Sequence, residues 1–443
     1  MIVRRRYNKV ASFLCIKIKI IRKGKKVIII EKVLLAAVMH ERTNEQQFYY
    51  SLNELEALVK TAEGEVIKTI IQKRPRPHRA YYVGEGKLKE IKELINEFEI
   101  EIVITNEELS GGQIRNLQEQ LEVRVIDRSQ LILDIFAARA RTKEGKLQVE
   151  LAQYTYMLPR LHGQGADLSR LGAGIGTRGP GETKLETDRR HIRRRMDDIK
   201  KRLEQVVNQR EQYRGNRKRH QLFQVAVVGY TNAGKSTLFN SLTKSDTLYE
   251  DKLFATLDPL TRRMKLPSNL EVLLTDTVGF IQDLPTALVA AFRSTLEEVK
   301  EADLIIHVID AAAPNRDNHE QTVYQLLSEL EADKIPILTI YNKEDLIDKT
   351  DFVPTTHPYL LISALDDNHI KHVKNKTERL IKEQWSHFAL HVPESESTKL
   401  SKIRQYTILE KEEYQEKHFS YYLEGYVDPN HAIMREIKEF NHE

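Results

Sequence analysis

Cysteine is almost absent from this 443-residue chain: Cys15 is the only one. One thiol excludes an intramolecular disulfide framework and any cysteine-based zinc site, and it fits the cytosol. No run of about 18 uncharged apolar residues occurs, which argues against a membrane-spanning helix and leaves only peripheral membrane association open. Acidic residues are missing from positions 1–30, which carry ten Lys/Arg. Within that stretch an apolar segment at 11–21 is broken by Lys17 and Lys19, and no small-residue cleavage site follows. That excludes a secretory signal. We expect 1–30 to be a disordered basic extension, or a start upstream of the real domain.

What is present suits packed cores: 40% of residues are hydrophobic and 30% charged. At roughly 150 residues per domain the length implies about three domains. The net charge of +4 conceals a second basic block at 189–220, with 13 Lys/Arg against four Asp/Glu. Such blocks suit polyanions, although a charged helix is as readily a solvated face.

From residue 31 apolar runs alternate with helical patterns. Strands are expected at 32–38, 66–72, 101–105 and 123–126, with helices between them. Ser51 and Glu54 form a capping-box pattern expected to open the first helix. The rhythm implies a small parallel or mixed sheet over 31–128. The stretch 129–160 reads as one long helix and 186–214 as another, and 163–181 holds seven of the 19 glycines. An antiparallel hairpin with a glycine-rich tip is expected over 129–220. Strands resume at 223–228, 272–275, 304–309, 335–341 and 359–362, apolar enough for a sheet covered on both faces. Residues 221–385 form that domain, and the charged, Tyr-rich 386–443 a small C-terminal one.

The strongest motif is Gly229, Tyr230, Thr231, Asn232, Ala233, Gly234, Lys235, Ser236, followed by Thr237. It fits the phosphate-loop pattern, with an apolar strand before it and a helix after it. Its glycines let backbone N–H groups wrap phosphate oxygens, Lys235 reaches the β- and γ-phosphates, and Ser236 holds Mg²⁺. Asp276, Thr277, Val278 and Gly279 end the strand at 272–275. There the aspartate can hold the magnesium through water and Gly279 can meet the γ-phosphate. Asn342, Lys343, Glu344 and Asp345 follow another strand. A carboxylate at Asp345 can accept from N1–H and the exocyclic amine of guanine, a donor pair that adenine lacks, so GTP is favoured over ATP. Ser363, Ala364 and Leu365 follow the next strand, where backbone amides can meet guanine O6. Phe254, Ala255, Thr256, Leu257 and Asp258 lie between the first two motifs. Thr256 is the candidate second Mg²⁺ ligand, its bland alternative being an ordinary strand-edge threonine. Phe280 stands where Ras-like GTPases use Gln to orient water. Asn232 is therefore a candidate potassium ligand in catalysis, unless it only shapes the loop. Gly174, Gly176 and Gly179 match a dinucleotide fingerprint, but no strand leads into them and Pro180 follows at once.

The run from Arg170 to Glu186 (RLGAGIGTRGPGETKLE), then Asp188, Arg189 and Arg190, is similar to the signature of HflX-type GTPases. So are residues 82–87, 254–258 and 276–280. The resemblance covers about 31–443. It is loose over 386–443, and it departs at Leu260, where the family often has Thr. It implies an α/β fold: a P-loop GTPase domain, preceded by an α/β plus helical-hairpin domain, with a small C-terminal α/β domain. It further implies a GTPase that binds the large ribosomal subunit and its RNA. Such a protein splits stalled or idle ribosomes, often under heat stress, with the loop between the hairpin helices near the peptidyl-transferase region. Arg170 and Arg178 in that loop are the candidate ribosome contacts. The resulting expectation is a cytoplasmic, monomeric GTPase using GTP/GDP, Mg²⁺ and potentially K⁺. The rivals are a GTPase assisting tRNA modification and a GTP-regulated, non-catalytic assembly scaffold.

Overall fold

The computed structural model describes the backbone at 19–22, 25–28, 30–41, 43–161, 180–220, 222–244, 254, 259–277, 279–280, 298–350, 352–416 and 418–441. The chain divides into two compact units. One comprises Met1–Val207, Lys252–Leu257 and Asp283–Arg293, the other Asn208–Asp251, Asp258–Gln282 and Ser294–Glu443.

In the first unit, β1 (Lys19–Arg22) and β2 (Lys25–Ile28) pair antiparallel. Then follow β3 (Lys32–Met39), α1 (Glu45–Thr61), β4 (Glu65–Lys73), α2 (Glu85–Phe98), β5 (Ile102–Thr105), α3 (Gly111–Leu121) and β6 (Arg124–Asp127). The sheet runs β4-β3-β5-β6 and is parallel throughout. Parallel neighbours require crossover connections, and the three helices supply them. Strand β3 is buried from Val33 to Met39, as expected for a strand covered on both faces.

Two local expectations are corrected. Helix α1 starts earlier than the Ser51–Glu54 pattern suggests: Asn44 is its cap, accepting from Gln46 N at 2.9 Å. Ser51 and Glu54 instead meet Arg128, which ion-pairs with Glu54 in the interior and donates to the Ser51 hydroxyl at 3.2 Å. The stretch 129–160 is not one helix. It forms α4 (Arg128–Arg139), α5 (Lys143–Met157) and a 3₁₀ turn (Leu158–Leu161). Ala140 leaves the helical region with ψ 114°, and Thr142 caps the restart by accepting from Gly145 N at 2.9 Å. Helix α6 spans Pro180–His220, and its Arg195 donates to Glu150 of α5 at 3.0 Å. Residues 162–179, including most of the glycine-rich tip, lie outside the described residues.

The second unit contains β7 (Gln224–Gly229), α7 (Lys235–Thr243), β8 (Leu260–Lys265), β9 (Glu271–Asp276), β10 (Leu304–Asp310), α8 (Arg316–Glu329), β11 (Ile337–Asn342), β12 (Tyr359–Leu361) and α9 (Asp367–Gln384). The sheet order is β12-β11-β10-β7-β9-β8, parallel except for β8, which pairs antiparallel with β9. Interior strands carry Val225, Val227, Leu274, Ile306, Val308 and Ile340, all within 1% of complete burial. The last part is β13 (Ser386–Pro393), α10 (Ser397–Tyr406), β14 (Thr407–Gln415), β15 (Ser420–Val427) and α11 (Ile433–Asn441), with an antiparallel sheet ordered β13-β15-β14. Alternation in β13 buries Phe388, Leu390 and Val392 in a core that includes Leu400, Ile403 and Ile437.

Candidate functional site

Four loops gather at the C-terminal ends of β7, β9, β11 and β12, the end at which open α/β sheets bind ligands. The first joins β7 to α7. Its entry requires glycine: Gly229 has φ +153°, and a Cβ there would lie 2.1 Å from the Val308 carbonyl oxygen. Its exit requires glycine as well, since Gly234 has φ +91° and its Cβ would lie 2.1 Å from Asn342 Nδ2. Between them Asn232 is exposed at φ +61°, a conformation asparagine tolerates better than most residues. Ala233, like Thr231, is buried.

Tyr230 is a crossing point. Its carbonyl accepts from Lys235 Nζ at 2.7 Å. Its neighbours pair with Phe280: Thr231 N donates to Phe280 O at 2.6 Å, and Phe280 N donates to Gly229 O at 3.1 Å. Its ring stacks on His319 of α8, with centroids 3.8 Å apart and planes 9° from parallel. Burial holds His319 neutral, its pKa pushed down to about 4. Phe280 is buried, so its ring packs rather than faces the loop mouth.

The β9 loop brings Asp276 to the phosphate loop. Ser236 Oγ donates to Asp276 Oδ2 at 2.8 Å, and Thr277 Oγ1 donates back to Val227 O at 2.7 Å. A hydroxyl and a carboxylate are hard oxygen donors of the kind Mg²⁺ takes, so this pair fits that ion. A Cβ on Gly279 would come within 2.9 Å of Lys235 Nζ, so the backbone there approaches the lysine closely.

Asn342, at the end of β11, ties the other loops together. Its Nδ2 donates to Ala233 O and its Oδ1 accepts from Ala364 N, each at 2.9 Å. Lys343, at φ +66°, reaches Asp310 at 2.7 Å. Glu344 is buried and begins a 3₁₀ turn, while Asp345 is exposed in that turn. Ser363 and Ala364 follow β12, and Leu365 stands 76% exposed beside them. The geometry thus brings together residues 229–237, 276–277, 279, 342–345 and 363–365. Phe254 belongs to the first unit, where its ring packs on Phe136 at 4.5 Å and its carbonyl accepts from Arg139 at 2.7 Å. Ala255, Thr256, Leu257, Asp258 and Val278 lie outside the described residues, as do Arg170 and Arg178. A cleft of about 500 Å³ lined by Phe223, Gln224, Ala302 and Asp303 lies at the opposite ends of these strands.

Three family models match in succession: "GTP-binding GTPase N-terminal" at 49–137, "GTP-binding GTPase Middle Region" at 139–217 and "50S ribosome-binding GTPase" at 224–343. The chain is 53% identical over 412 residues to GTPase HflX of Alkalihalophilus pseudofirmus, covering 93% of this chain and 97% of that one. The chain belongs to the HflX family of GTPases. HflX of Escherichia coli is 48% identical over 319 residues, 72% of this chain and 74% of that one. A GTP-binding protein of Sulfolobus solfataricus, solved with GDP, is 27% identical with a TM-score of 0.43, covering 78% of this chain and 98% of that one.

This HflX-family protein binds GTP and hydrolyses it to GDP. Its phosphate-loop lysine is fully buried, and burial pushes the Lys235 ammonium down to about 8, with Asp276 opposing the shift. A bound phosphate favours the charged amine and raises that pKa again. Nucleotide binding above pH 8 is therefore expected to take up a proton, and GDP affinity to fall toward tenfold per pH unit there. Titration calorimetry in two buffers of different ionisation enthalpy measures the uptake directly, and zero uptake at pH 9 would refute it. Buried His307 on β10 stays neutral, its pKa pushed to about 3 by desolvation and by the Lys235 charge. The Tyr230–His319 stack and the Lys343–Asp310 pair are not legible in the sequence, because neither follows from a local pattern.

Proposed function

We propose that this HflX-family GTPase binds the large ribosomal subunit and splits stalled or idle ribosomes, using GTP bound with Mg²⁺ at the four-loop site. The observation that carries the nucleotide assignment is Asn342, whose two hydrogen bonds couple the phosphate loop to the Ala364 loop. In this reading the amides of 230–236 and Lys235 bind the phosphates, and Asp345 with the Ala364 loop orients the guanine. Ser236 and Thr256 would hold the Mg²⁺, with Asp276 behind Ser236. The bound ion neutralises charge on the β- and γ-phosphates. Lys343 is held by Asp310, and its alkyl chain would lie against the base. The ribosomal assignment rests on the "50S ribosome-binding GTPase" match and on the basic 189–220 segment. The protein would then act as a monomer in the cytosol, where its ribosomes are. Sedimentation with separated subunits, in GDP and in a non-hydrolysable GTP analogue, tests it. Absence of nucleotide-dependent comigration with the large subunit would refute it.

Two further outcomes follow from this reading. Arg170→Ala with Arg178→Ala is expected to weaken splitting severalfold and flatten its salt dependence while basal hydrolysis stays within twofold, because lost phosphate contacts release fewer counterions. A splitting assay beside a basal hydrolysis assay decides it. Intact splitting would remove these residues from the mechanism. Potassium is expected to stimulate hydrolysis over sodium at equal ionic strength, since Phe280 is buried and Asn232 is exposed in the phosphate loop. Equal rates in the two salts would reject Asn232 as an ion ligand.

A further inference from the structure

The base side of the site depends on a residue outside every motif. His369 lies in the first turn of α9, just after the Asp366 cap. Its Nδ1 accepts a hydrogen bond from Ser363 N at 3.0 Å. A backbone N–H can only donate, so Nδ1 carries no proton and the ring hydrogen sits on Nε2. That Nε2 lies 3.3 Å from Glu344 Oε2, off the hydrogen-bond axis, so the contact is electrostatic. The other carboxylate oxygen of Glu344 pairs with Lys349. One imidazole therefore touches both loops assigned to the guanine. Glu344 immediately precedes Asp345, and Ser363 immediately precedes Ala364.

These contacts complete a chain. Glu344 N donates to Ile362 O at 3.0 Å, so the two loops also meet through the backbone. Asn342 fixes Ala364 from the inner side, at 2.9 Å. His369 fixes Ser363 and Glu344 from the helix side. Asp345 and Leu365 stay exposed at the mouth. An exposed carboxylate in a short turn discriminates bases only when its backbone is held, because recognition needs fixed donor and acceptor positions.

We propose that His369 is a positioning residue for guanine recognition, clamping the Asp345 turn against the Ala364 loop. The inference rests on the reading of these loops as the base site. The polar contacts of His369 go to Ser363, Glu344 and Asp366 and not to Lys235, Ser236 or Asp276, so its loss acts first on base binding.

The test is steady-state GTP hydrolysis by the full chain, with competition binding of GDP and of inosine diphosphate, which lacks the 2-amino group. His369→Ala is expected to raise KM for GTP about tenfold, as for a lost hydrogen bond that ordered a loop, with kcat within twofold. The GDP-over-inosine-diphosphate preference should fall about threefold. His369→Gln, whose amide oxygen can accept from Ser363 N and whose amine can face Glu344, should restore most of both. The Gln variant also covers the case in which the Ala variant folds poorly. An unchanged KM and base preference in His369→Ala would overturn the proposal, as would a fall in kcat with KM unchanged. Asp345→Asn run in parallel separates the two failures. If Asp345→Asn leaves base preference unaltered, the base-site reading falls and this inference with it. If only His369→Ala is silent, the inference alone is wrong.

Discussion

Gly234→Ala is expected to abolish high-affinity nucleotide binding while leaving the first unit folded. The substitution meets two obstacles at once. The residue sits at φ +91°, outside the region L-residues favour, which costs on the order of 1–3 kcal/mol. The new Cβ also arrives 2.1 Å from Asn342 Nδ2, a distance no real contact allows. Asn342 cannot yield without breaking its buried bonds to Ala233 O and Ala364 N. Each buried group left unsatisfied costs roughly 1–3 kcal/mol. Even the lower ends of these ranges add to about 3 kcal/mol, so GDP affinity should fall at least 100-fold. Fluorescent-GDP titration measures it. Affinity within threefold of the parent protein would show that the loop relaxes around a methyl group and that Asn342 is not the coupling residue.

The parts of this fold that were legible in the sequence are those encoded by contiguous residues. Strands β7, β10 and β11 read correctly because their interior positions are mostly apolar, as a sheet covered on both faces demands, with buried His307 and Thr339 as exceptions. The phosphate loop read correctly because the steric need for Gly229 and Gly234 fixes residue type at a fixed spacing. Edge strand β8 did not, since Leu260–Lys265 contains three basic residues and only Met264 is fully buried. An edge strand needs little apolar surface, so its sequence resembles a loop. The Ser51–Glu54 pattern misled for a different reason. Both side chains serve a buried contact to Arg128, 74 or more residues away, and a long-range partner leaves no local trace. The break before Thr142 was missed because 129–160 has no Gly or Pro at the break itself, its one Gly being Gly145 and its one Pro Pro159, although Thr142 is a good cap.

The candidate site shows the same division. Residues that would touch the nucleotide lie in short motifs at strand ends. Residues that hold those motifs in place, His319 against Tyr230, Asp310 against Lys343 and His369 against Ser363 and Glu344, come from α8, β10 and α9. Their positions follow from how helices pack on the sheet, which no short pattern encodes.

Asp345→Asn is expected to reverse base preference from guanine toward xanthine with little effect on stability. Asp345 is exposed, so the substitution leaves no buried group unpaired, and surface changes of this kind stay within about 0.5 kcal/mol. The turn is held by its neighbours: Lys343 by Asp310, and Glu344 by Lys349, His369 and the Ile362 carbonyl. A carboxylate offers two acceptors, matching N1–H and the 2-amino group of guanine. An amide offers one acceptor and one donor, matching N1–H and the 2-oxo group of xanthine, and its N–H₂ opposes the guanine amine. A site built around a hydrogen-bond pair rejects the mismatched base by a large factor, so KM for GTP should rise about 100-fold or more. Xanthosine triphosphate should become the better substrate at an unchanged kcat, because Lys235, Ser236 and Asp276 are untouched. Steady-state hydrolysis with both nucleotides reads both quantities. Retained preference for GTP would mean that the guanine is recognised elsewhere, and a lost kcat with xanthosine triphosphate would mean that the base loop is coupled to the phosphate loop more tightly than Asn342 alone can account for.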